Sequence, residues 1–364
     1  MESYLKDKAD FSQIQRVLVI KLQHLGDVLL TSPVFSTLKQ QHPHLEIDAL
    51  IYADTAMMLE GNPNVATVFT IDRAWKKSTR VKLSQEWQLF QKLKDRDYQL
   101  IIGLTDRMRA AWLARLLRPF YSVAPKHPQK RGKFWRNSFS HVYSQPQLPR
   151  HTVELHLDAL RRLGLYPKPE DKPLLMPISP VAKQKIKTLL AAENLDSKPY
   201  VVIHPTSRWM FKSWNVAGFA GVLKMLADRN IPVVVVSGPD EAECNYVQKI
   251  LQIQAHAVID LSGQLSLQEL AALIAQSHCF IGLDSVAMHI AAAVNTPCVA
   301  LFGPSGDLSW HPWQVPHRIL TSHFSCRPCG LDGCGNGKIS DCLQAIRAEE
   351  VTEAALSLIE ETKA

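Results

Sequence analysis

The sequence predicts two doubly wound α/β domains facing each other across a cleft. Three observations carry that expectation. Short apolar runs rich in β-branched residues alternate with segments of helical periodicity, the pattern of parallel βαβ units. The alternation passes twice through the 364 residues, with a proline-dense stretch between the passes. A chain of that length accommodates two domains, each large enough to bury its own core.

The first pass opens with the run Arg16–Lys21. A loop follows, then a helix with Leu30, Val34 and Leu38 at i, i+4 and i+8, where the early Pro33 delays the regular start. Further strands are expected over 47–52, 65–71 and 100–104. Between 118 and 180 ten prolines, from Pro119 to Pro180, loosen the pattern, and 168–198 reads as the linker region. The second pass begins at 200–203 and continues through 233–236, 279–283 and 299–302, with helices over 267–274 and 288–294. Residues 349–362 read as a closing helix with Val351, Ala355, Leu358 and Ile359 on one side. The expected boundaries are therefore 1–180, 181–348 and a C-terminal helix over 349–364.

An apolar fraction of 46% and a charged fraction of 21% are those of a globular protein. No run of about 18 apolar residues suggests a membrane span. Residues 1–15 lack the apolar centre of a signal peptide, and seven cysteines is an odd number, so a reduced, cytoplasmic setting is expected. Charge is divided unevenly. Residues 1–180 hold 27 Lys and Arg against 17 Asp and Glu, whereas 181–364 hold 14 against 17. Within 73–136 the ratio is 17 to 4. A field of one sign on one half recruits an anionic partner to that half. Nucleic acid, a phosphorylated glycolipid and an anionic bilayer surface all qualify; a solvated basic face is the plain alternative.

In doubly wound sheets ligands sit beyond the carboxyl ends of the strands, so the loops there matter most. After the first strand comes Asp27, opening a helix. It reads either as a helix N-cap or as a general base for a hydroxyl acceptor. After 200–203 come Thr206, Ser207 and Lys212, two hydroxyls and a point charge that together resemble a diphosphate grip. After 233–236, Gly238 and Pro239 make a tight turn before Asp240 and Glu241. A carboxylate here can accept both hydroxyls of a ribose, or merely complement the next helix's positive end. The run 281–289 is a strand, a turn and a helix, whose backbone N–H groups form an anion site without metal. Asp284 and His289 bracket that turn.

Other signals fail. Asp95-Arg96-Asp97 has the D-x-D form of a divalent-ion site but precedes its strand, at the wrong end of the sheet. No dinucleotide fingerprint, phosphate loop or nucleophile elbow is present. Cys326, Cys329, Cys334 and Cys342 offer four thiols in 17 residues. Zinc or an iron–sulfur cluster is one reading. The spacing is not that of a zinc ribbon, and a reduced, packed loop or adventitious disulfides formed after purification are the readings set against a metal.

Taken together, Ile20-Lys21, Gly26 to Thr31, Phe211 to Trp214, Gly282 to Ala293 and Phe302-Gly303-Pro304 resemble glycosyltransferase family 9, the bacterial ADP-heptose:lipopolysaccharide heptosyltransferases. The likeness runs in order from about residue 14 to the C-terminus. Details such as Leu104 to Arg107 and Phe134 to Arg136 resemble the type III branch most. The resemblance implies a GT-B fold and inverting transfer of L-glycero-D-manno-heptose from ADP-heptose to the heptose region of the lipopolysaccharide inner core. Types I and II are the alternatives within the family, and a non-catalytic basic nucleic-acid binder the alternative outside it. No cofactor, metal or nucleic acid is implied. The acceptor the resemblance implies is a phosphorylated lipid A–core, reached from the cytoplasm by peripheral contact with the anionic inner-membrane surface.

Carried over by position, Asp27 matches the catalytic base, Lys212 the diphosphate-binding lysine, and Thr206 and Ser207 the hydroxyl pair before it. Asp284, Ser285, Val286, Ala287 and His289 match the turn that holds diphosphate and heptose. Glu241 matches a ribose-binding glutamate, with Glu243 near enough to compete for that register, and Leu265 lies near adenine. Arg107, Arg109, Lys133 and Arg136 are the expected acceptor-binding cations. The stretch 107–121 mixes arginines with Trp112, Leu113, Leu116, Leu117 and Phe120, and reads either as core packing or as a face resting on the bilayer.

Overall fold

A computed structural model describes residues 7–77, 79–126, 132–196 and 198–362. The chain divides into two compact units between Met176 and Pro177.

The first unit is built on six parallel strands: β1 (Arg16–Lys21), β2 (Glu46–Tyr52), β3 (Thr67–Ile71), β4 (Leu100–Gly103), β5 (Tyr121–Pro125) and β6 (His141–Tyr143). Their order is β3-β2-β1-β4-β5-β6. The second unit repeats the winding with β7 (Val201–His204), β8 (Val233–Val235), β9 (Val258–Asp260), β10 (Cys279–Leu283), β11 (Cys298–Leu301) and β12 (His317–Leu320). Its order, β12-β11-β10-β7-β8-β9, again puts the first strand beside the fourth. The direction of winding reverses between β1 and β4, and between β7 and β10. Those two switch points are where such sheets open a ligand crevice.

Helices cover both faces of each sheet, which is why the central strands are apolar throughout rather than alternating. In β4, β7, β10 and β11 every residue is buried. The first core gathers Leu18, Ile20, Leu50, Ile101, Ala110 and Trp135; the second gathers Val201, Ile203, Trp214, Phe219, Ile281 and Leu358. Trp214 donates its indole N–H to the Ile346 carbonyl at 3.2 Å. Its ring lies so close to helix Val216–Ala227 that a Cβ at Gly218 would meet it at 2.3 Å, so only glycine fits there.

Two expectations are corrected. The division between the units falls within 168–198, but that stretch is not all linker: Pro180–Ala192 is a helix whose N-cap Ser179 accepts the Ala182 N–H at 3.1 Å. Proline in a first turn loses no hydrogen bond and is preset for helical φ, so Pro180 starts this element rather than breaking it. The stretch 118–180 likewise holds β5, β6 and helix Thr152–Arg162. Elsewhere Pro33 stands in the first turn of helix Ser32–Gln41, after a separate short helix, Leu25–Leu29. The C-terminal helix Ala348–Glu361 packs on β10, β11, β12 and helix Val216–Ala227, within the second unit. Among the described residues no helix is long and apolar enough to cross a membrane.

Candidate active site

At the switch point of the first unit, β1 ends in a buried cation. Lys21 is 4% exposed. Its ammonium lies 3.6 Å from Asp27 Oδ1 and 2.8 Å from His156 Nε2 on helix Thr152–Arg162. His156 Nδ1 stands 3.0 Å from the Leu30 carbonyl oxygen. A carbonyl only accepts, so Nδ1 carries the hydrogen and the Nε2 lone pair receives the Lys21 N–H. Burial, reinforced by the Lys21 charge, holds the imidazole well below its ordinary pKa and therefore neutral. Burial also pushes the Lys21 ammonium down, and the Asp27 carboxylate opposes that shift. The conflict is what an ion pair removed from water entails.

Asp27 is not the N-cap of its helix. His24 occupies that position, and Asp27 sits at the third helical residue, where its Oδ2 accepts the His24 backbone N–H at 3.3 Å. The capping interaction thus runs backward from Asp27, which leaves the carboxylate tied to the end of β1. Beyond β4, Thr105 is buried and Asp106 is near enough to act on the Lys21 charge.

In the second unit, the loop after β7 returns on itself. His204 donates through Nδ1 to the Thr206 carbonyl at 3.0 Å, and burial depresses the imidazole's pKa. Thr206 and Ser207 are buried. Thr206 Oγ1 donates to Glu243 Oε2 at 2.5 Å, and the Gly238 N–H reaches the same oxygen at 3.3 Å. Glu241, in the first turn of helix Glu241–Ile253, is exposed; the structure turns Glu243 inward instead. Two residues along a helix are about 200° apart, so the pair cannot share a face.

Lys212 donates to Asp284 Oδ2 at 2.6 Å, which joins the loop after β7 to the turn after β10. Ser285 is the N-cap of helix Val286–Ala293, yet its side chain caps nothing. Its Oγ is buried and has no hydrogen-bond partner among the described residues. A buried orphan hydroxyl costs about 1–3 kcal/mol, so one at a helix start beside a lysine suits an anion. Val286 and Ala287 form the first turn, and His289 is buried one turn on, its ring 6.3 Å from that of Trp310. Leu265 is half-buried just before Ser266, which caps helix Leu267–Ile274.

The expected acceptor cations all lie in the first unit. Arg107 pairs with Asp106 at 3.7 Å, Arg109 forms an ion pair with Glu86, and Lys133 and Arg136 are exposed on the short helix Gly132–Arg136. Of the basic stretch 73–136, Lys130 and Arg131 lie outside the described residues. Asp95-Arg96-Asp97 stands at the amino end of β4, with Arg96 held by Asp48 at 2.8 Å and by Glu46. All seven cysteines are free thiols, and among the described residues no three His, Cys, Asp or Glu side chains are grouped to hold a metal ion.

Sequence reasoning missed Lys21 and His156 as site residues. A lysine ending an otherwise apolar strand is a usable signal, because an isolated charge is rarely buried. His156 had none, being 135 residues away.

Comparison with known proteins gives the family and the fold. Residues 86–340 match glycosyltransferase family 9 (heptosyltransferase). The chain is 34% identical over 342 residues to lipopolysaccharide heptosyltransferase 3 of Escherichia coli K12, covering 93% of this chain and 97% of that one. The crystal structure of a family 9 glycosyltransferase from Veillonella parvula superposes with a TM-score of 0.81 at 23% identity, covering 95% and 97% of the two chains. E. coli heptosyltransferase WaaC with ADP-2-deoxy-2-fluoro heptose superposes with a TM-score of 0.72 at 19% identity, covering 96% and 100%. The two doubly wound units are the Rossmann-like pair of the GT-B fold expected from the sequence. The chain belongs to glycosyltransferase family 9, the heptosyltransferases.

Proposed function

We propose that the protein transfers L-glycero-D-manno-heptose from ADP-heptose to the heptose region of the lipopolysaccharide inner core, with inversion and without a metal ion. The observation that carries this reading is the pairing of two kinds of site. The first unit presents a carboxylate held by a buried lysine. The second presents a lysine and an unpartnered serine hydroxyl at a helix start. A single displacement at an anomeric carbon needs both: a base on the acceptor hydroxyl and positive charge at the departing diphosphate.

Asp27 takes the hydroxyl proton as the acceptor oxygen bonds to the anomeric carbon. The bond from that carbon to the diphosphate oxygen breaks on the opposite face. Lys212, Ser285 and the N–H groups of Val286 and Ala287 receive the ADP charge; Asp284 positions Lys212, and His289 lines the heptose. Glu243, through Thr206 and Gly238, shapes the wall on which the ribose rests, and Leu265 lies toward adenine. The relative bound to an ADP-heptose analogue supports the donor. The heptosyltransferase 3 relative supports a lipid A–core acceptor, for whose phosphates Arg107, Arg109, Lys133 and Arg136 are suited. In this reading the enzyme works in the cytoplasm, peripheral to the inner membrane, and its anionic partner is the glycolipid rather than nucleic acid.

The test is incubation with ADP-heptose, with and without EDTA, and with cores truncated at successive sugars, the products being weighed and their anomeric configuration read by NMR. One added heptose on a heptose-bearing core, insensitive to EDTA, is expected. Asp27→Asn should bind ADP-heptose normally and lose about 10²–10⁴-fold in kcat; near-normal turnover would remove Asp27 from its role.

A further inference from the structure

We propose that the outer face of helix Met108–Leu117 is a docking surface for an anionic phospholipid bilayer. The helix is apolar on two sides. Ala110, Ala111, Leu113 and Ala114 are buried and fill the core of the first unit. Met108, Trp112 and Leu116 recur at i, i+4 and i+8, so they form one line along the opposite side. That line faces outward: Trp112 and Leu116 are 53% and 56% exposed, and Met108 is exposed beside them. Arg118 takes the left-handed conformation (φ 49°) and ends the helix, after which Phe120 stands 68% exposed. Core packing therefore accounts for one side of the helix in 107–121, and the other side is left exposed for the bilayer reading proposed here.

The patch extends sideways. Leu83 and Trp87 are exposed on helix Thr79–Lys94, and Glu86 between them forms an ion pair with Arg109. On the other flank the Trp112 ring lies 4.7 Å from that of Phe134, and the Arg115 guanidinium lies 4.7 Å over the same Phe134 ring. The indole is thus held in place while half of it stays exposed. Exposed aromatic and aliphatic side chains gathered along one helix and on its neighbour mark an interaction site.

Charge identifies the occupant. The patch sits in the part of the chain where 17 basic residues face 4 acidic ones. Arg107, Arg115 and Arg118 lie on or beside the helix itself. A second copy would bring the same cations against these, which opposes a symmetric pair. Aromatic and aliphatic side chains rimmed by arginine are instead the composition of an element lying in a membrane interface, with rings at headgroup depth and cations on lipid phosphates. This inference deepens the reading of a membrane-held acceptor and rests on it only for its purpose.

The experiment uses the full chain and vesicles of phosphatidylcholine alone or mixed with phosphatidylglycerol, followed by flotation. Binding to the mixed vesicles, lost at high salt and absent with phosphatidylcholine alone, is expected. Trp112→Ser with Leu116→Ser should weaken it about tenfold or more, the cost of about two apolar side chains left in water. Its thermal unfolding and its turnover on a delipidated core oligosaccharide should match the parent. Brominated lipid should quench the parent's fluorescence more than that of Trp112→Phe. Equal vesicle binding by parent and double variant overturns the proposal, as does a parent oligomer that the double variant dissolves into monomers. Vesicle binding without heptosyl transfer sinks the proposed function and leaves the docking surface standing; transfer to soluble core without vesicle binding does the reverse.

Discussion

Lys21, Asp27 and His156 show how the carboxylate proposed as the base is held at the end of a strand by a buried cation and its neighbour. The lysine is buried against a neutral imidazole on one side and the carboxylate on the other. In Lys21→Met the carboxylate loses the cation that holds it in place, and kcat should fall about tenfold or more. An unchanged kcat would reduce Lys21 to a packing residue. His156 and His204 are both held below their ordinary pKa by burial. Below about pH 6.5 the unfolded chain takes up protons that these two folded imidazoles refuse. Stability should thus be fully present above that pH and decline as acid is added below it. Calorimetry from pH 7.5 to 5 reads the slope, and His156→Gln should flatten it while losing stability at pH 7.5.

At the scale of elements, the two helix starts in the second unit make separable contributions. Ser285 leaves a buried hydroxyl unused, so Ser285→Ala should be neutral or slightly stabilising in the free protein. It should nonetheless weaken ADP binding several-fold by titration calorimetry, because an acceptor-ready donor is gone. On helix Glu241–Ile253 the outcome depends on which glutamate faces inward. Glu243→Gln should weaken ADP, since it loosens Thr206 and Gly238, whereas Glu241→Gln should leave affinity unchanged. The reverse result would restore the register in which Glu241 meets the ribose. Prolines teach a related lesson. Pro180 opens a helix and Pro125 closes β5, so a dense run of them marked boundaries between elements rather than their absence.

For the whole molecule, one winding serves twice. Each unit sets its first strand beside its fourth, and the residues proposed as base and as diphosphate grip follow β1, β7 and β10, whereas of the proposed acceptor cations Lys133 and Arg136 follow β5. Charge is not repeated in the same way: the first half is basic and the second slightly acidic. The KM for a phosphorylated core should accordingly rise with ionic strength, while that for ADP-heptose, gripped at short range in a buried turn, should change little. Parallel rises in both would locate the basic field elsewhere than on the acceptor.

Much of this is legible in the amino-acid sequence alone. The central strands read plainly because burial on both faces demands unbroken apolar runs, as over 17–20 of β1 and in Cys279–Leu283. The outer strands Val258–Asp260 and His317–Leu320 did not, being half-buried and short. By itself the sequence determined the α/β class, the two passes, the loops that bear Asp27, Lys212 and Ser285, and the uneven charge. Those are properties of composition and local spacing. Only the tertiary structure decided that His156 meets Lys21, that Glu243 rather than Glu241 turns inward, and that Met108, Trp112 and Leu116 face outward while Leu113 faces the core. Each of these depends on which side of an element its neighbours occupy, and periodicity alone does not say which side that is.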